Sequence, residues 1–295
     1  MKYAAVIAGT MREAWVRKTA LTLTALAVGF VLLYAFGVQV APADEPGWVR
    51  FYLFGVANPL DPGAPSQDLS SAVPRQWVVS GSGLYALALL SPWGVFFALF
   101  IAISLWNVAF QPQQLYWVLG KPLSRTGFFL SKYAGALALV GLTSMGFALA
   151  LTGLIYWKTG ALSPELLLGG LLVVFNYATL AALALLLVMW TNNTALSLVL
   201  TVLAYVVMDT LQAASLFPFY ADLPAWLRLG LDALYHVLPK VSDLEVIAQR
   251  LLGDGPIPQE TFALRASFAQ AFASSLAFLL AALGLGAWQF QRKDL

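Results

Sequence analysis

The sequence predicts an all-α integral membrane protein, from its composition and from the length of its uncharged stretches. Hydrophobic residues make up 60% of the 295 residues, charged residues make up 10%, and the mean hydropathy is +0.79. Soluble domains average about 45–50% apolar and about 25% charged residues. The first uncharged stretch, residues 19–43, is long enough to cross the hydrocarbon core of a bilayer, which is about 30 Å thick.

A single transmembrane domain with six spans is predicted for residues 1–295. Some uncharged stretches exceed one crossing, and helix-breaking residues divide them: Gln111-Pro112 ends the second span, and Thr191-Asn-Asn-Thr194 separates the fourth from the fifth. The predicted spans cover residues 19–41, 84–110, 133–157, 166–190, 194–216 and 266–291. Residues 44–83 and 217–265 are predicted to be extracytoplasmic segments.

The distribution of charge predicts which side of the membrane each segment faces. With both termini inside, the cytoplasmic segments contain nine basic and two acidic residues, and the extracytoplasmic segments contain seven basic and eleven acidic residues. Short loops rich in Lys and Arg remain in the cytoplasm. We therefore expect a multi-pass protein of a prokaryotic plasma or inner membrane, with both termini cytoplasmic.

Residues 1–18 predict an amphipathic helix that lies in the membrane surface and contacts lipid. Tyr3, Ile7, Met11 and Trp15 recur at helical spacing, while most of the charges lie on other faces. The alternative is a basic terminus that is frayed.

Amphipathic helices against the outer leaflet are also predicted between spans five and six. Leucine and aromatic residues recur at helical intervals between Pro224 and Pro239. Ser242 and Glu245 match a capping box, in which each side chain binds the backbone N–H of the other residue, and they predict the start of a second helix. In the first loop, Arg50-Phe-Tyr-Leu-Phe54 suits either a short strand or an interfacial turn.

The loop between spans two and three has the most distinctive local pattern in the chain. It contains Lys121, Arg125 and Lys132 within twelve residues, a cluster typical of cytoplasmic loops. Pro122 ends any preceding helix, and Ser124 is placed to cap a helix over residues 125–132. We expect this helix to lie across the cytoplasmic ends of the two spans. The alternative is a topological anchor with no further function.

This loop pattern, Leu119-Gly-Lys-Pro-Leu-Ser-Arg125 followed by Lys132, occurs with a surface helix, six spans and a terminal Arg292-Lys-Asp-Leu295. Together these features resemble the ABC-2 type permease family over essentially the whole chain. The resemblance implies that the loop is a coupling helix seated on a separate ATP-binding subunit. The residues that it assigns to this element are Lys121, Pro122, Ser124, Arg125 and Lys132. It also implies a dimer with a second permease copy or homologue, and two ATP-binding subunits that hold the ATP and Mg.

The chain has no phosphate-binding loop of its own. Its only Gly-Lys pair, Gly120-Lys121, has Leu115 where that loop requires Gly and Pro122 where it requires Ser or Thr. No cofactor is therefore expected in this chain, and ATP hydrolysis is expected in the partner. The chain departs from many members of the family at Phe110-Gln-Pro-Gln-Gln114, where those members have an acidic stretch containing Gly and Thr.

Several other function classes are excluded by residue type. The chain contains no cysteine, which rules out disulfides, thiolate metal sites and cysteine nucleophiles. The lone histidine, His236, is more typical of a structural residue than of a metal ligand, and Ser82 has no nearby base that would make it a nucleophile. We expect neither catalysis, nor metal binding, nor a nucleic-acid partner.

Asp209, Gln212 and Asn176 form a possible intramembrane polar site. Because a carboxylate is costly in lipid, Asp209 is expected to face the protein interior or water, either for substrate or proton binding or as a satisfied interface group. The scarcity of polar residues in the spans favours export of an apolar or amphipathic substrate. The alternative is a force-transmitting or anchoring subunit that docks an extracytoplasmic partner without moving a cargo itself.

Overall fold

Helices account for most of the chain that the computed structural model describes, which covers residues 2–43, 45–57, 72–111, 113, 123–214, 220, 222–253 and 266–292. The helices are α1 (Lys2–Val16), α2 (Thr19–Gly37), α3 (Arg75–Leu89), α4 (Val95–Ala109), α5 (Arg125–Thr159), α6 (Glu165–Thr191), α7 (Thr194–Ala214), α8 (Ala225–Val237), α9 (Val241–Arg250) and α10 (Phe268–Arg292). A small antiparallel sheet contains β1 (Val38–Pro42), β2 (Trp48–Leu53), β3 (Val56–Ala57) and β4 (Val73–Pro74).

Six helical segments are long and apolar enough to cross a membrane, as predicted for a multi-pass membrane protein. They are Thr19–Gly37, Arg75–Ala109, Arg125–Thr159, Glu165–Thr191, Thr194–Gln212 and Phe268–Arg292. The second of them combines α3 and α4 through a single π-helical turn at Leu90–Gly94. Pro92 lies in this turn, and the wider π turn accommodates a residue that has no N–H and crowds the preceding carbonyl.

The break that was predicted between the fourth and fifth spans is confirmed. Asn192 adopts the left-handed conformation, with a φ of 48°, and ends α6. The Asn193 side-chain oxygen accepts hydrogen bonds from the backbone N–H groups of Ala195 and Leu196, at 2.9 and 3.2 Å, and so caps α7. The two helices are therefore separated by only two residues.

Both ends of the described chain lie at the same end of the bundle. The hydroxyls of Tyr3 and Ser124 are 3.2 Å apart, and the Arg125 guanidinium donates to the Gln291 carbonyl at 3.1 Å. We call this the terminal end. At the opposite end, which we call the sheet end, the Lys158 ammonium near the end of α5 donates to the Ala35 carbonyl at 2.6 Å.

A small sheet accompanies the predicted all-α membrane fold, and it corrects the prediction of a first span that reaches residue 41. Helix α2 ends at Gly37, and the following Val38–Pro42 pairs antiparallel with β2, so that Val40 lies opposite Phe51. Alternating β-branched residues favour an extended chain here. The segment Arg50-Phe-Tyr-Leu-Phe54, for which a strand and a turn were both open, lies mainly in strand β2.

The second span begins earlier than predicted, at Arg75 instead of residue 84, which shortens the predicted external segment 44–83. Gly81 and Gly83 belonged to this predicted external segment, but they lie inside α3. Gly83 allows close packing against Leu252, since a Cβ on this glycine would lie 2.8 Å from a Leu252 methyl carbon. Tertiary packing therefore outweighs the low helix propensity of glycine at this position.

The predicted helix over residues 125–132 is not a separate element lying across two spans. It forms the first turns of α5, which continues without a break to Thr159. Ser124 caps this helix as predicted, accepting a hydrogen bond from the Gly127 N–H at 3.1 Å. No proline interrupts the helix, and Phe128 and Phe129 bury their rings in the core, so the helix axis stays with the bundle. Lys121 and Pro122 lie outside the described residues.

The two helices that were predicted to lie against the outer leaflet differ from each other. Helix α8 exposes the apolar side chains of Trp226, Leu229 and Val237, as expected for a surface helix. Helix α9 instead packs among the membrane-spanning helices and buries six of its ten residues. The predicted capping box is also wrong, because α9 begins at Val241, two residues earlier than that box requires, and Ser242 lies inside the helix.

Candidate functional site

Helix α9 carries a row of polar side chains into the bundle, where it packs against α6, α7 and α10. Asn176 of α6 donates from its side-chain amide to the Val241 carbonyl at 3.0 Å. Asn176 is buried, so this hydrogen bond fixes the first turn of α9 against the middle of a membrane-spanning helix. One predicted polar residue therefore serves to position α9.

Asp243 is the most deeply buried acidic residue of this helix, with no exposed surface. The Gln212 side-chain amide donates to one of its carboxylate oxygens at 2.7 Å, and the Tyr235 hydroxyl donates to the other at 2.5 Å. Hydrogen bonds to both oxygens offset the cost of burying the carboxyl group. Gln212 was predicted from the sequence, whereas Asp243 was not.

Asp209 contacts α9 at Ser242, the residue before Asp243. The Ser242 hydroxyl donates to an Asp209 carboxylate oxygen at 2.6 Å. The three residues predicted as an intramembrane polar site, Asp209, Gln212 and Asn176, are therefore brought together by α9, which each of them contacts.

Glu245 is the third acidic residue here, and it lies near Asp209. The Tyr205 hydroxyl donates to its carboxyl oxygen at 3.5 Å. The pKa of the Glu245 carboxyl is raised to about 7, chiefly by burial and also by the nearby carboxylate of Asp209, against the opposing effect of the Ser91 and Tyr205 hydroxyls. This carboxyl group therefore titrates near neutral pH.

Lys240 supplies a buried positive charge next to the start of α9, where its side chain is only 2% exposed. Its ammonium donates to the backbone carbonyls of Tyr235 and Leu238, and lies 3.9 Å from the centroid of the Tyr235 ring. The Lys240 backbone N–H donates to the Ser275 hydroxyl of α10 at 3.0 Å. Tyr235 thus contacts both the cation and Asp243, and it links them.

We refer to these residues together as the α9 cluster: Asn176, Tyr205, Asp209, Gln212, Tyr235, Lys240, Ser242, Asp243 and Glu245. Within the described part of the chain, no three His, Cys, Asp or Glu side chains are placed to hold a metal ion. The cluster can hold a proton on Glu245, and it ties α9 to α6, α7 and α8. Asp243 and Glu245 were not predicted as members of this cluster from the sequence, because Ser242 and Glu245 also fit a local capping box.

A second polar network lies at the terminal end and includes residues of the predicted coupling loop. Tyr3 of α1 contacts Ser124, and Arg125 donates to the carbonyl oxygen of Gln291 in the last turn of α10. The Gln291 side-chain amide donates in turn to the Thr126 hydroxyl at 2.6 Å. A cation beside the C-terminal carbonyls of a helix is favourable for the helix dipole. The first turn of α5 is therefore joined to both α1 and α10.

Lys132 points into the junction of α1 and α5. Its ammonium lies 3.1 Å from a Glu13 carboxylate oxygen, and its side chain is 12% exposed. The Trp106 indole donates to the Lys132 backbone carbonyl at 3.3 Å, which adds α4 to this contact. Lys132 therefore joins three helices.

A cluster of four phenylalanine rings packs next to this network. Phe110, Phe128, Phe129 and Phe290 have neighbouring ring centroids 5.3–6.4 Å apart. Gly286 of α10 permits the closest approach, since a Cβ there would lie 2.7 Å from the Phe129 ring. This close packing fixes the ends of α4, α5 and α10 relative to one another. A displacement of one of them is therefore transmitted to the others.

Two residues that were weighed as functional candidates have structural partners. The Tyr34 hydroxyl donates to the Ser82 hydroxyl at 2.8 Å. His236 lies on exposed α8, where its Nδ1 is 2.7 Å from the Asp232 carbonyl oxygen, one turn earlier. Neither forms part of a catalytic constellation within the described residues.

No family model matches the chain, and no curated protein matches it. The function is therefore argued from the geometry of the α9 cluster and of the terminal-end network.

Proposed function

We propose that this chain is the membrane-spanning permease subunit of an ABC transporter. It would couple ATP hydrolysis by a separate ATP-binding subunit, present in two copies, to export of an apolar or amphipathic substrate. A second permease copy or homologue would complete the complex, in a cell membrane with both termini cytoplasmic. The observation that carries the proposal is the network that joins Ser124 and Arg125 to three helices at the end of a basic loop.

The network gives a mechanical reason why a push on this loop would move the membrane domain. Residues 123–125 begin α5 directly, so a displacement of the loop acts along a helix of 35 residues. The Arg125–Gln291 hydrogen bond would couple α10 to the movement of α5, and the Lys132–Glu13 ion pair would couple α1 to it. Rigid-body tilting of these helices is an established route by which a local event reshapes a distant surface.

An alternative function is a force-transmitting or anchoring subunit that moves no cargo itself and docks a partner beyond the sheet end. One observation favours it. The polar side chains of the spans that were candidates for a substrate path, Asn176, Asp209 and Gln212, bind α9 instead. A polar cargo is therefore disfavoured under either function, and the choice lies between an apolar cargo and none.

The proposed coupling is tested by Arg125→Glu in the purified complex with its ATP-binding subunit. We expect ATP hydrolysis that depends on the permease to fall at least about tenfold, which corresponds to about 1.4 kcal/mol. The matched control is Arg228→Glu, which reverses an exposed charge on α8 and should leave hydrolysis unchanged. Normal hydrolysis in an Arg125→Glu variant that inserts and assembles would refute the coupling role.

A further inference from the structure

An apolar cavity of about 250 Å³ lies between α2, α3, α5 and the sheet. Its walls include Phe30 and Tyr34 of α2, Phe51 of β2, Ala86 of α3 and Phe147 of α5. An apolar cavity of about 150 Å³ is already large enough to hold a benzene molecule and stays free of water. This cavity therefore has room for a larger hydrocarbon group.

The cavity continues along α2 toward the middle of the bundle. A smaller space of about 50 Å³ is lined by Leu23, Ala27 and Phe30 of α2 and by Phe147 of α5. Phe30 and Phe147 line both spaces, so the two adjoin. The lining residues of α2 extend from Leu23 to Tyr34, a rise of about 16 Å at 1.5 Å per residue. Together the two spaces follow α2 over this length.

The walls offer few polar groups to a ligand among the described residues. The hydroxyls of Tyr34 and Ser82 lie in the wall of the larger space, and they are hydrogen-bonded to each other at 2.8 Å. Thr143 and Ser144 line the smaller space, where the Thr143 hydroxyl donates to the Leu139 carbonyl at 3.1 Å. No charged side chain of the described residues lines either space. The chemistry of the site therefore suits a hydrocarbon chain and excludes a polar or charged ligand.

The larger space is bordered by side chains that face away from the protein. Leu33, Phe54 and Tyr85 are 57%, 64% and 63% exposed, and all three line it. Helix α2 also has few buried residues. Only 17% of its most apolar stretch is buried, against 67% for α6. Because α2 is long and apolar enough to cross a membrane, an opening on its outward side would face the acyl chains of membrane lipids.

A strained residue forms one wall. Phe54 occupies a tight turn between β2 and β3 with a φ of 50°, a left-handed conformation that a bulky residue rarely adopts and that Gly or Asn adopts readily. Its ring lies over Gly37, where an added Cβ would come within 2.7 Å of it. An aromatic ring held at a backbone position that disfavours it indicates that the ring is needed for contact.

We propose that this cavity, which we call the α2 cavity, binds one acyl chain of a membrane lipid. The chain enters past Leu33 and Tyr85, packs beneath the Phe54 ring and extends along α2 toward Leu23. The lipid headgroup stays at the sheet end, outside the cavity, so the site selects for the chain and not for the headgroup. The proposal does not depend on coupling to an ATP-binding subunit.

The test is photolabelling of the full-length protein in vesicles of phosphatidylethanolamine and phosphatidylglycerol. The probe is a phosphatidylcholine that carries a diazirine near the end of one acyl chain, and the adducts are located by peptide mass spectrometry. We expect adducts concentrated on the segments that contain Leu23, Phe30 and Phe147, which line the inner space that the end of the chain reaches. Labelling spread evenly over the outward faces of the spans would overturn the proposal.

A pair of variants on one helix provides the matched comparison. Ala86→Phe fills the cavity and should lower its labelling at least about fivefold, close to 1 kcal/mol in occupancy. Ala88→Phe makes the same change on the exposed face of α3 and should leave the labelling as in the wild type. Equal labelling in the two variants would contradict an acyl-chain site.

Phe54→Asn keeps the result decisive if Ala86→Phe does not fold. Asn tolerates the left-handed backbone, so the turn is retained while the ring is lost. Labelling of the cavity should fall about threefold, a change of under 1 kcal/mol. Unchanged labelling would refute the role of the ring. Recovery from the purified protein of a tightly bound hydrocarbon that is not a glycerolipid would overturn the lipid assignment.

Discussion

At the terminal end, polar side chains from α1, α5 and α10 meet at partly exposed positions, whereas around α9 the carboxyl groups are enclosed by protein. The Lys132–Glu13 pair leaves 12% and 26% of its side chains exposed, but Asp243 has no exposed surface. Ion pairs near solvent contribute little to stability, whereas removing one partner from a buried polar set leaves the others unsatisfied. The terminal-end network is therefore expected to contribute less to the stability of the fold than the α9 cluster.

The largest predicted effect is that of Asp243→Ala. The variant leaves the Tyr235 hydroxyl and the Gln212 amide without an acceptor inside the protein, beside the buried Lys240 ammonium. We expect a loss of about 4 kcal/mol in the free energy of unfolding. Thermal unfolding in detergent measures this loss. Asp222→Ala, which removes an exposed carboxylate near α8, should change stability very little, and equal effects of the two would remove the distinction drawn between buried and exposed groups.

The second prediction concerns pH and Glu245. Its pKa is raised from 4.5 to about 7 in the folded protein, so the folded state holds this proton more tightly than the unfolded chain. The resulting stabilisation is complete below pH 4.5 and is lost as the pH rises to about 7, a change of about 3 kcal/mol. The difference in melting temperature between wild type and Glu245→Gln should therefore vary across this range. Glu45→Gln, at an exposed position, should show no such variation; a flat difference for Glu245→Gln would contradict the shift.

A smaller effect is expected for Lys132→Met, which keeps the length of the side chain and removes its charge. Glu13 retains its pairing with Arg17, at 3.2 Å, so the loss should be about 1 kcal/mol. A double-mutant cycle with Glu13→Gln measures the coupling between the two groups. Lys2→Met, at an exposed position of α1, is the control. A coupling as large as the effect of Asp243→Ala would show that the terminal end is not the weaker region.

The smallest effect is predicted for Ser124→Ala, which removes the cap of α5. We expect faster amide hydrogen exchange in the first turn of α5, equivalent to about 1 kcal/mol or less. Ser267→Ala removes a comparable contact at the start of α10, where the Ser267 hydroxyl accepts from the Gln270 N–H at 3.3 Å. That control should leave exchange in α5 unchanged, and unchanged exchange in Ser124→Ala would show that the cap does not hold this turn.

Features that depend on neighbouring residues were predictable from the sequence, and features that depend on distant partners were not. The Ser124 cap and the break at Asn192 follow from local turn chemistry, and the six spans follow from hydropathy. The strand at residues 38–42 was missed because its apolar residues also fit the end of a span. Burial of α9 was missed because Ser242 and Glu245 fit a local capping box, while their partners, Asp209 and Tyr205, lie more than thirty residues away.

The most direct test of the proposed function is to purify the protein in mild detergent from its native membranes and identify the associated proteins by mass spectrometry. The proposal predicts an ATP-binding subunit in roughly equal amount. An additional protein bound at the sheet end would favour force transmission over export. Absence of any ATP-binding subunit, under conditions that keep other membrane complexes intact, would contradict the proposal and leave the basic loop as a topological anchor.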